Sequence, residues 1–134
     1  MGLFQEVELE NYFSNSGKLE VVNSIYAHKF SAKRFYIIRD VPSGEIRGRH
    51  AHKELDQIFF CIQGQFRIAL TNGTENQNVV LKESSSGIIV LAGLWRELSE
   101  FSKNAICLVL ASEEYNPNDY IYDYNDFMAW KKTI

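Results

Sequence analysis

Short runs of apolar, β-branched and aromatic residues recur along the chain, and turn-forming residues separate them. Runs of about four to eight such residues between turn signals are typical of strands. The pair Asn72-Gly73 lies between two runs and gives the strongest hairpin signal, because this dipeptide suits a tight turn. The pattern predicts strands over residues 19–26, 34–41, 57–62, 66–70, 78–81, 87–91 and 105–110.

Only residues 123–132 have a helical pattern, and no repeat, linker or low-complexity segment interrupts the chain. Many short strands at regular spacing indicate an all-β sandwich or barrel. We therefore expect residues 1–134 to form a single domain, a jelly-roll β-barrel with a short C-terminal helix. The open end of such a barrel can admit a small ligand.

Charge and composition narrow the class of function. The formal net charge is −3, so the chain offers no basic surface for nucleic acid or for a membrane. No apolar stretch has membrane-spanning length, and the first residues lack the pattern of a signal peptide. Cys61 and Cys107 lie within apolar runs, as reduced core thiols do. These features predict a cytoplasmic enzyme.

Two of the three histidines, His50 and His52, are two residues apart in a segment that also reads as a strand. Side chains alternate between the faces of a strand, so both should lie on the same face. A pair of this kind suits either metal binding or acid–base catalysis.

The residues around this pair resemble the first sequence motif of the cupin superfamily, with Gly44, His50, His52, Gln57 and Gly64 at its spacing. Cupins that bind metal usually have a glutamate where this chain has Gln57, and a second motif with a further histidine, which residues 87–98 lack. A neutral amide is a weak ligand for divalent metals. We therefore predict that no metal or other cofactor is bound and that the histidines transfer protons.

Three longer segments resemble the sugar 3,4-ketoisomerases, which act on dTDP-4-keto-6-deoxyglucose in bacterial surface-sugar pathways. They are RFYIIRDVPSGEIRGRHAHKELDQIFFCIQG, LWRELSEFS and LVLASEEYNPNDYIYDYNDF. The resemblance implies a cupin fold, a homodimer, no metal and a nucleotide-linked sugar substrate. It leaves both the gluco and the galacto product open. An apolar N-terminal stretch is expected to add to the dimer interface: Leu3, Phe4, Val7 and Leu9.

The resemblance implies roles for particular residues. His50 is the expected base that removes the proton from carbon 3 of the sugar, with His52 orienting it or moving protons between oxygens, and the reverse assignment stays open. Tyr36 is expected to hydrogen-bond the sugar ketone or to act as an acid. Arg49 should point away from the histidines, because it alternates with them. The expected substrate-binding residues are Arg39, Arg47, Gln57, Trp95 and Arg96.

Two positions depart from the family pattern: Ser16 stands where a basic residue is common, and Leu91-Ala92-Gly93 stands where a Pro-Pro pair is common. We expect Ser16 and Arg96 to bear on which face of carbon 4 is reprotonated, because that choice depends on which group lies on each side of the ring. We expect the acidic tail to pack as a tyrosine-lined edge rather than to act in catalysis, and His28 to have no catalytic role.

Two other functions remain open at this point. A sugar-nucleotide 3,5-epimerase also uses a barrel and histidine bases, but usually with a separate His–Asp pair instead of the HAHK core. A non-catalytic sugar-binding cupin would use the same polar barrel mouth.

Overall fold

The computed structural model describes residues 2–23, 25 and 28–134. Within these residues the chain forms twelve strands, a 3₁₀ turn at Pro117–Asp119 and one α-helix, α1, at Tyr124–Lys131. The strands are β1 Gln5–Val7, β2 Glu10–Ser14, β3 Gly17–Val21, β4 Arg34–Arg39, β5 Arg47–His52, β6 Gln57–Gln63, β7 Gln65–Thr71, β8 Asn76–Lys82, β9 Gly87–Val90, β10 Trp95–Ser99, β11 Ile106–Ala111 and β12 Tyr120–Ile121.

Ten strands form two five-stranded antiparallel sheets. The first sheet has the order β1-β9-β6-β11-β4 and the second has the order β12-β5-β10-β7-β8. Among the described residues, the remaining two strands, β2 and β3, pair only with each other in a hairpin. This architecture confirms the predicted jelly-roll barrel and its short C-terminal helix.

The main core fills the space between the two sheets, where Phe59, Ile68, Leu98 and Val109 are buried together. Two smaller clusters lie on the outer faces of the sheets. One covers the first sheet around Val7, Ile58 and Phe60, and the other lies beneath α1 around Ala51, Trp95 and Phe127. Both faces of β6 are therefore buried, which explains its continuous apolar run.

Most predicted strands are confirmed within two residues at each end. The prediction for residues 19–26 is wrong beyond Val21, where β3 ends, and residues 24, 26 and 27 lie outside the described part of the chain. The predicted hairpin is confirmed, with Asn72 Oδ1 accepting hydrogen bonds from the backbone N–H groups of Thr74 and Glu75 between β7 and β8.

The helix is also confirmed, and its N-cap is Asp123, whose side chain accepts a hydrogen bond from the backbone N–H of Asp126. The sequence pattern missed β1, β2 and β10, which are short and combine charged with apolar residues, and β12, which has only two residues.

Candidate active site

One end of the space between the sheets is polar, whereas the rest of it is apolar. The second half of β5 brings His50 and His52 to this end, and Arg96 of β10 lies opposite His50 in the strand register. Gln57, the first residue of β6, faces them from the other sheet and is buried. The predicted acid–base pair therefore lies inside the barrel at its mouth.

The two imidazoles are in direct contact, with 3.0 Å between His50 Nε2 and His52 Nε2. His52 is fully buried, and its Nδ1 lies 2.9 Å from Asp119 Oδ2. The other oxygen of this carboxylate, Oδ1, accepts a hydrogen bond of 2.7 Å from the backbone N–H of Glu54. Asp119, His52 and His50 thus form a continuous chain of hydrogen bonds.

Both histidines are neutral at pH 7. Burial, followed by the nearby Arg96 cation, lowers the pKa of His50 to about 3, although Asp119 opposes this change. Burial, followed by Arg96 and Arg34, lowers the pKa of His52 to about 3. A neutral imidazole has one N–H donor and one nitrogen lone pair, so each ring can both accept and donate a proton.

A bulge in β5 aims the histidines. The register between β5 and β10 shifts between Arg96 and Leu98. Gly48 lies at this point with φ of 64°, and a Cβ on it would be 3.2 Å from Leu98 Cδ1. Glycine tolerates this backbone conformation and the close approach, and bulges commonly redirect side chains beside active sites.

Arg96 is a fully buried cation that has no carboxylate in contact within the described residues. Its guanidinium donates hydrogen bonds to Gln57 Oε1 and, over 2.8 Å, to the carbonyl of Leu94. Its Nε has no partner among the residues that the structure describes. Burial lowers the pKa of Arg96 to about 10, so it still carries its charge at neutral pH.

Tyr36 reaches this end of the barrel from β4 in the first sheet, and not from a strand beside β5. Its hydroxyl accepts a hydrogen bond of 2.8 Å from Gln57 Nε2. Burial raises the pKa of Tyr36, so the phenol keeps its proton at neutral pH. Gln57 therefore connects Tyr36 to Arg96.

Tyrosines from the acidic tail form one wall of the mouth. The ring of Tyr120 lies 4.4 Å from that of His52 and 5.1 Å from that of His50, measured between centroids. Tyr122 stacks on Tyr120 at 5.3 Å, and Arg34 donates a hydrogen bond of 3.4 Å to the Tyr120 hydroxyl.

The tail was expected to serve packing alone, and the structure brings Asp119 and Tyr120 to the histidines instead. The 3₁₀ turn at Pro117–Asp119 and the pairing of β12 with β5 set these positions. The alternation of Tyr120 and Tyr122 about Ile121 was the available signal for a strand in this segment.

Three of the expected substrate-binding residues do not join this group. Trp95 pairs with Ala51 on the outer face of its sheet, where it is 4% exposed and packs against Phe127 beneath α1. Arg39 is exposed at the far end of β4, and Arg47 is exposed at the first position of β5. We therefore assign Trp95 to packing and do not place these two arginines in the site.

Other residues singled out in the sequence lie elsewhere. His28 Nδ1 contacts Gln5, and Ser16 is exposed in the turn between β2 and β3. Arg49 is exposed and points away from the histidines, with its Nε 3.8 Å from Glu97. Cys61 and Cys107 are buried free thiols, and burial raises the pKa of Cys61 to about 11.

The loop at Leu91-Ala92-Gly93 is held firmly without the Pro-Pro pair of the family pattern. Asp56 Oδ1 accepts a hydrogen bond of 2.7 Å from the backbone N–H of Ala92, and the His52 carbonyl accepts one of 2.8 Å from that of Gly93. Gly93 has φ of 87°, a conformation that favours glycine. The loop thereby ties the end of β5 to the start of β10.

The site does not fit a metal ion. Gln57 occupies the usual carboxylate position, and both ends of its amide are engaged by Arg96 and Tyr36. The charge of Arg96 would also repel a divalent cation beside the histidines. In the part of the chain that is described, no group of three His, Cys, Asp or Glu side chains has an arrangement that could hold a metal ion.

The two facing sheets form a cupin barrel, with a His-x-His pair on the inner face of β5 and Gln57 across from it. Residues 4–132 match the family described as "FdtA: WxcM-like, C-terminal". The chain belongs to this family of sugar 3,4-ketoisomerases, as its sequence segments predicted.

Several proteins similar to this chain are named as 3,4-ketoisomerases or 3,4-oxoisomerases. The TDP-4-oxo-6-deoxy-α-D-glucose-3,4-oxoisomerase of Aneurinibacillus thermoaerophilus is 34% identical over 96% of this chain and 92% of its own length. A 3,4-ketoisomerase from Helicobacter canadensis is 33% identical, with a TM-score of 0.89 over 96% of this chain and 97% of its own.

A variant of QdtA, the 3,4-ketoisomerase of Thermoanaerobacterium thermosaccharolyticum, was solved in complex with TDP-4-keto-6-deoxyglucose. It is 28% identical, with a TM-score of 0.91 over 99% of this chain and 96% of its own. These matches confirm the predicted isomerase class of activity.

The alternative epimerase family shares the fold alone. A dTDP-4-dehydrorhamnose 3,5-epimerase from Bacillus anthracis is 14% identical, with a TM-score of 0.76 over 87% of this chain and 76% of its own. The His–Asp pair that was expected to mark an epimerase is nevertheless present here, as His52 and Asp119. That pair therefore does not separate the two families.

No helix within residues 2–23, 25 and 28–134 is long and apolar enough to cross a membrane.

Proposed function

We propose that the protein converts TDP-4-keto-6-deoxyglucose into a TDP-3-keto-6-deoxyhexose by proton transfer at His50, which His52 orients. The observation that carries this proposal is the contact between two neutral imidazoles beside a buried cation, Arg96, that lacks a carboxylate partner in the described chain. This sugar nucleotide is the one for which the related oxoisomerase is named and the one bound in the complex of the QdtA variant.

His50 is the better candidate for the base. Both ring nitrogens of His52 are already engaged, by His50 and by Asp119, and its side chain is fully buried. His50 is only partly buried, and within the described chain no group hydrogen-bonds to its Nδ1. This nitrogen can therefore face a sugar in the mouth of the barrel.

The reaction balances without an oxidant or a reductant. His50 takes the proton from carbon 3, the C–H electrons form a bond between carbons 3 and 4, and the carbonyl electrons move to oxygen 4. The Tyr36 hydroxyl then gives its proton to oxygen 4 and receives the proton of oxygen 3. His50 returns its proton to carbon 4 as the carbonyl forms at carbon 3.

Arg96 would stabilise the enediolate. A buried cation without a paired carboxylate is costly to the folded protein, because it loses hydration without a compensating ion pair. The cost is offset when negative charge develops beside it, as it does on oxygens 3 and 4. Tyr36 would donate its hydroxyl proton to one of these oxygens, and the bond that its own oxygen accepts from Gln57 supports this role.

Incubation with TDP-4-keto-6-deoxyglucose in deuterated water tests the proposal. A 3-keto product with solvent deuterium at carbon 4 supports the isomerase, and NMR of that product gives its configuration. Deuterium at carbons 3 and 5 with the 4-ketone retained would mean an epimerase, and recovery of the unlabelled 4-keto sugar without any 3-keto product would mean binding alone.

The product would suit deoxyaminosugar synthesis, because a ketone at carbon 3 is the group that an aminotransferase converts to an amine. We infer a cytoplasmic location, which the two buried free thiols support.

We also infer that the protein is a homodimer that uses the β2–β3 hairpin. The hairpin pairs with neither large sheet and exposes apolar side chains, with Phe13 75% and Leu19 60% exposed. The edge strand β4 presents a second apolar surface, on which Phe35 is 65% exposed. Exposed apolar patches of this kind are typical of protein interfaces.

Three of the four N-terminal residues expected at this interface, Leu3, Phe4 and Val7, pack as part of the barrel. Val7 is fully buried, and Leu3 and Phe4 pack against the main core. Light scattering at micromolar concentration should give twice the chain mass for the wild type and a monomer for Phe13→Glu. Val80→Glu, at an exposed position on β8, is the matched control and should stay dimeric. A monomeric wild type would contradict the inference.

A further inference from the structure

We propose that Asp119 is a positioning residue that fixes the tautomers of both histidines, so that His50 presents a bare Nδ1 to the substrate. The two oxygens of the carboxylate are engaged by His52 and by the backbone N–H of Glu54, so Asp119 acts through the hydrogen-bond chain. This inference rests on the proposed function and adds a residue from the acidic tail to it.

The tautomers follow from the two contacts. An ionised carboxylate only accepts hydrogen bonds, so His52 Nδ1, 2.9 Å from Asp119 Oδ2, carries the proton. In a neutral ring His52 Nε2 then holds the lone pair. His50 Nε2, 3.0 Å away, must be the donor in that contact, and the His50 lone pair is left at Nδ1.

The hydrogen bond made by the second oxygen of Asp119 predicts how the side-chain amide would be oriented in Asp119→Asn. Asp119 Oδ1 accepts the backbone N–H of Glu54 at 2.7 Å, and only an oxygen can take that place. In Asp119→Asn the amide oxygen is therefore held by Glu54 and the NH₂ group faces His52 Nδ1. His52 must then carry its proton at Nε2, which reverses the chain and leaves His50 protonated at Nδ1.

Because of this reversal, Asp119→Asn and Asp119→Ala should affect activity differently. Asp119→Asn keeps the shape of the side chain but blocks the base, whereas Asp119→Ala lets His52 choose either tautomer. We expect Asp119→Asn to lower kcat by at least about 100-fold with KM nearly unchanged, within the range of a general-base contribution. Asp119→Ala should lose less. The corresponding Asp-to-Asn change in serine proteases lowers kcat by about 10⁴ through the wrong tautomer.

The test combines kinetics with ¹⁵N NMR of the imidazole nitrogens in the full-length protein, with His50→Asn and His52→Asn used for assignment. The wild type should show protons at His52 Nδ1 and His50 Nε2, and Asp119→Asn should show them at His52 Nε2 and His50 Nδ1. Glu114→Gln, at an exposed position in the same tail, is the control and should match the wild type.

A wild-type protein with His52 protonated at Nε2 overturns the inference, as does an Asp119→Asn variant that is more active than Asp119→Ala. An unchanged tautomer in a folded Asp119→Asn variant overturns it too. A wild type with the expected tautomers but without isomerase activity refutes the proposed function and leaves the positioning by Asp119 intact.

Discussion

Arg96 donates a hydrogen bond to Gln57, and this bond fixes the orientation of both the Gln57 amide and the Tyr36 hydroxyl. Arginine can only donate, so the oxygen of the Gln57 amide must face Arg96 and its nitrogen must face Tyr36. The Tyr36 oxygen accepts that bond, and its own proton is left to point into the barrel. A glutamine at the usual metal-ligand position thus serves to orient a hydroxyl donor.

Gln57→Glu should impair the enzyme although it changes the size of the side chain little. The new carboxylate would accept from both Arg96 and the Tyr36 hydroxyl, which neutralises the cation and turns the tyrosine proton away from the substrate. We expect kcat to fall by at least about 10-fold, since a single donor to a developing oxyanion contributes about 100-fold or more. Steady-state kinetics check this, with Gln63→Glu at an exposed position as the control.

His50→Asn should abolish most turnover. Asparagine keeps hydrogen-bonding capacity but exchanges no proton near neutral pH, so kcat should fall by at least about 100-fold. His52→Asn should also lower kcat, but by less, because His52 orients His50 and does not itself take the proton from the sugar. Titration with TDP should show unchanged affinity in both variants. A wild-type rate in His50→Asn would contradict the assignment of His50 as the base.

The stability of the protein should fall in acid because of the two histidines. Their pKa of about 3 in the folded state lies below the ordinary 6.5, so the unfolded chain binds more protons between these values. Above pH 6.5 the two histidines are neutral in both states and cost the folded protein nothing in this respect. As the pH falls from 6.5 towards 3, the free energy of unfolding decreases.

Urea midpoints measured at pH 7 and pH 5 check this expectation. The wild type should lose more stability between the two values than the double variant His50→Asn/His52→Asn. Equal losses in both proteins would mean that other groups cause the acid sensitivity.

Removal of divalent metal should leave turnover unchanged. The expectation follows from the engaged amide of Gln57 and from the cation beside the histidines. Exhaustive dialysis against a chelator, followed by kinetics and elemental analysis, is the measurement. Loss of activity that a stoichiometric metal restores would contradict it.

Trp95→Phe should lower stability and leave KM unchanged. The indole packs beneath α1 and donates a hydrogen bond of 2.9 Å to Glu97 Oε2, so the variant loses that bond and some buried area. A loss of about 1–2 kcal/mol in the free energy of unfolding is expected. An increased KM with normal stability would instead favour stacking on the substrate.

The sequence predicted the barrel because apolar runs and turn residues report local geometry, and it predicted the histidine pair because alternation along one strand is also local. His50, His52, Gln57, Tyr36 and Arg96 lie together as the family pattern implied. Asp119 was missed because its partner is 67 residues away in the sequence, and no periodicity reports such a contact. Trp95 was misplaced because its neighbour Arg96 faces the opposite side of the strand.

The two-residue strand β12 pairs with β5 alone and follows directly after Asp119. A strand this short at the edge of a sheet opens more readily than the core strands between which Phe59 and Val109 are buried. Heating should therefore detach β12 from β5 while the other strands of both sheets persist, and activity should disappear at a lower temperature than the bulk β-signal. The thermal limit of the enzyme is then set by the attachment of its last strand, and not by the melting of its barrel.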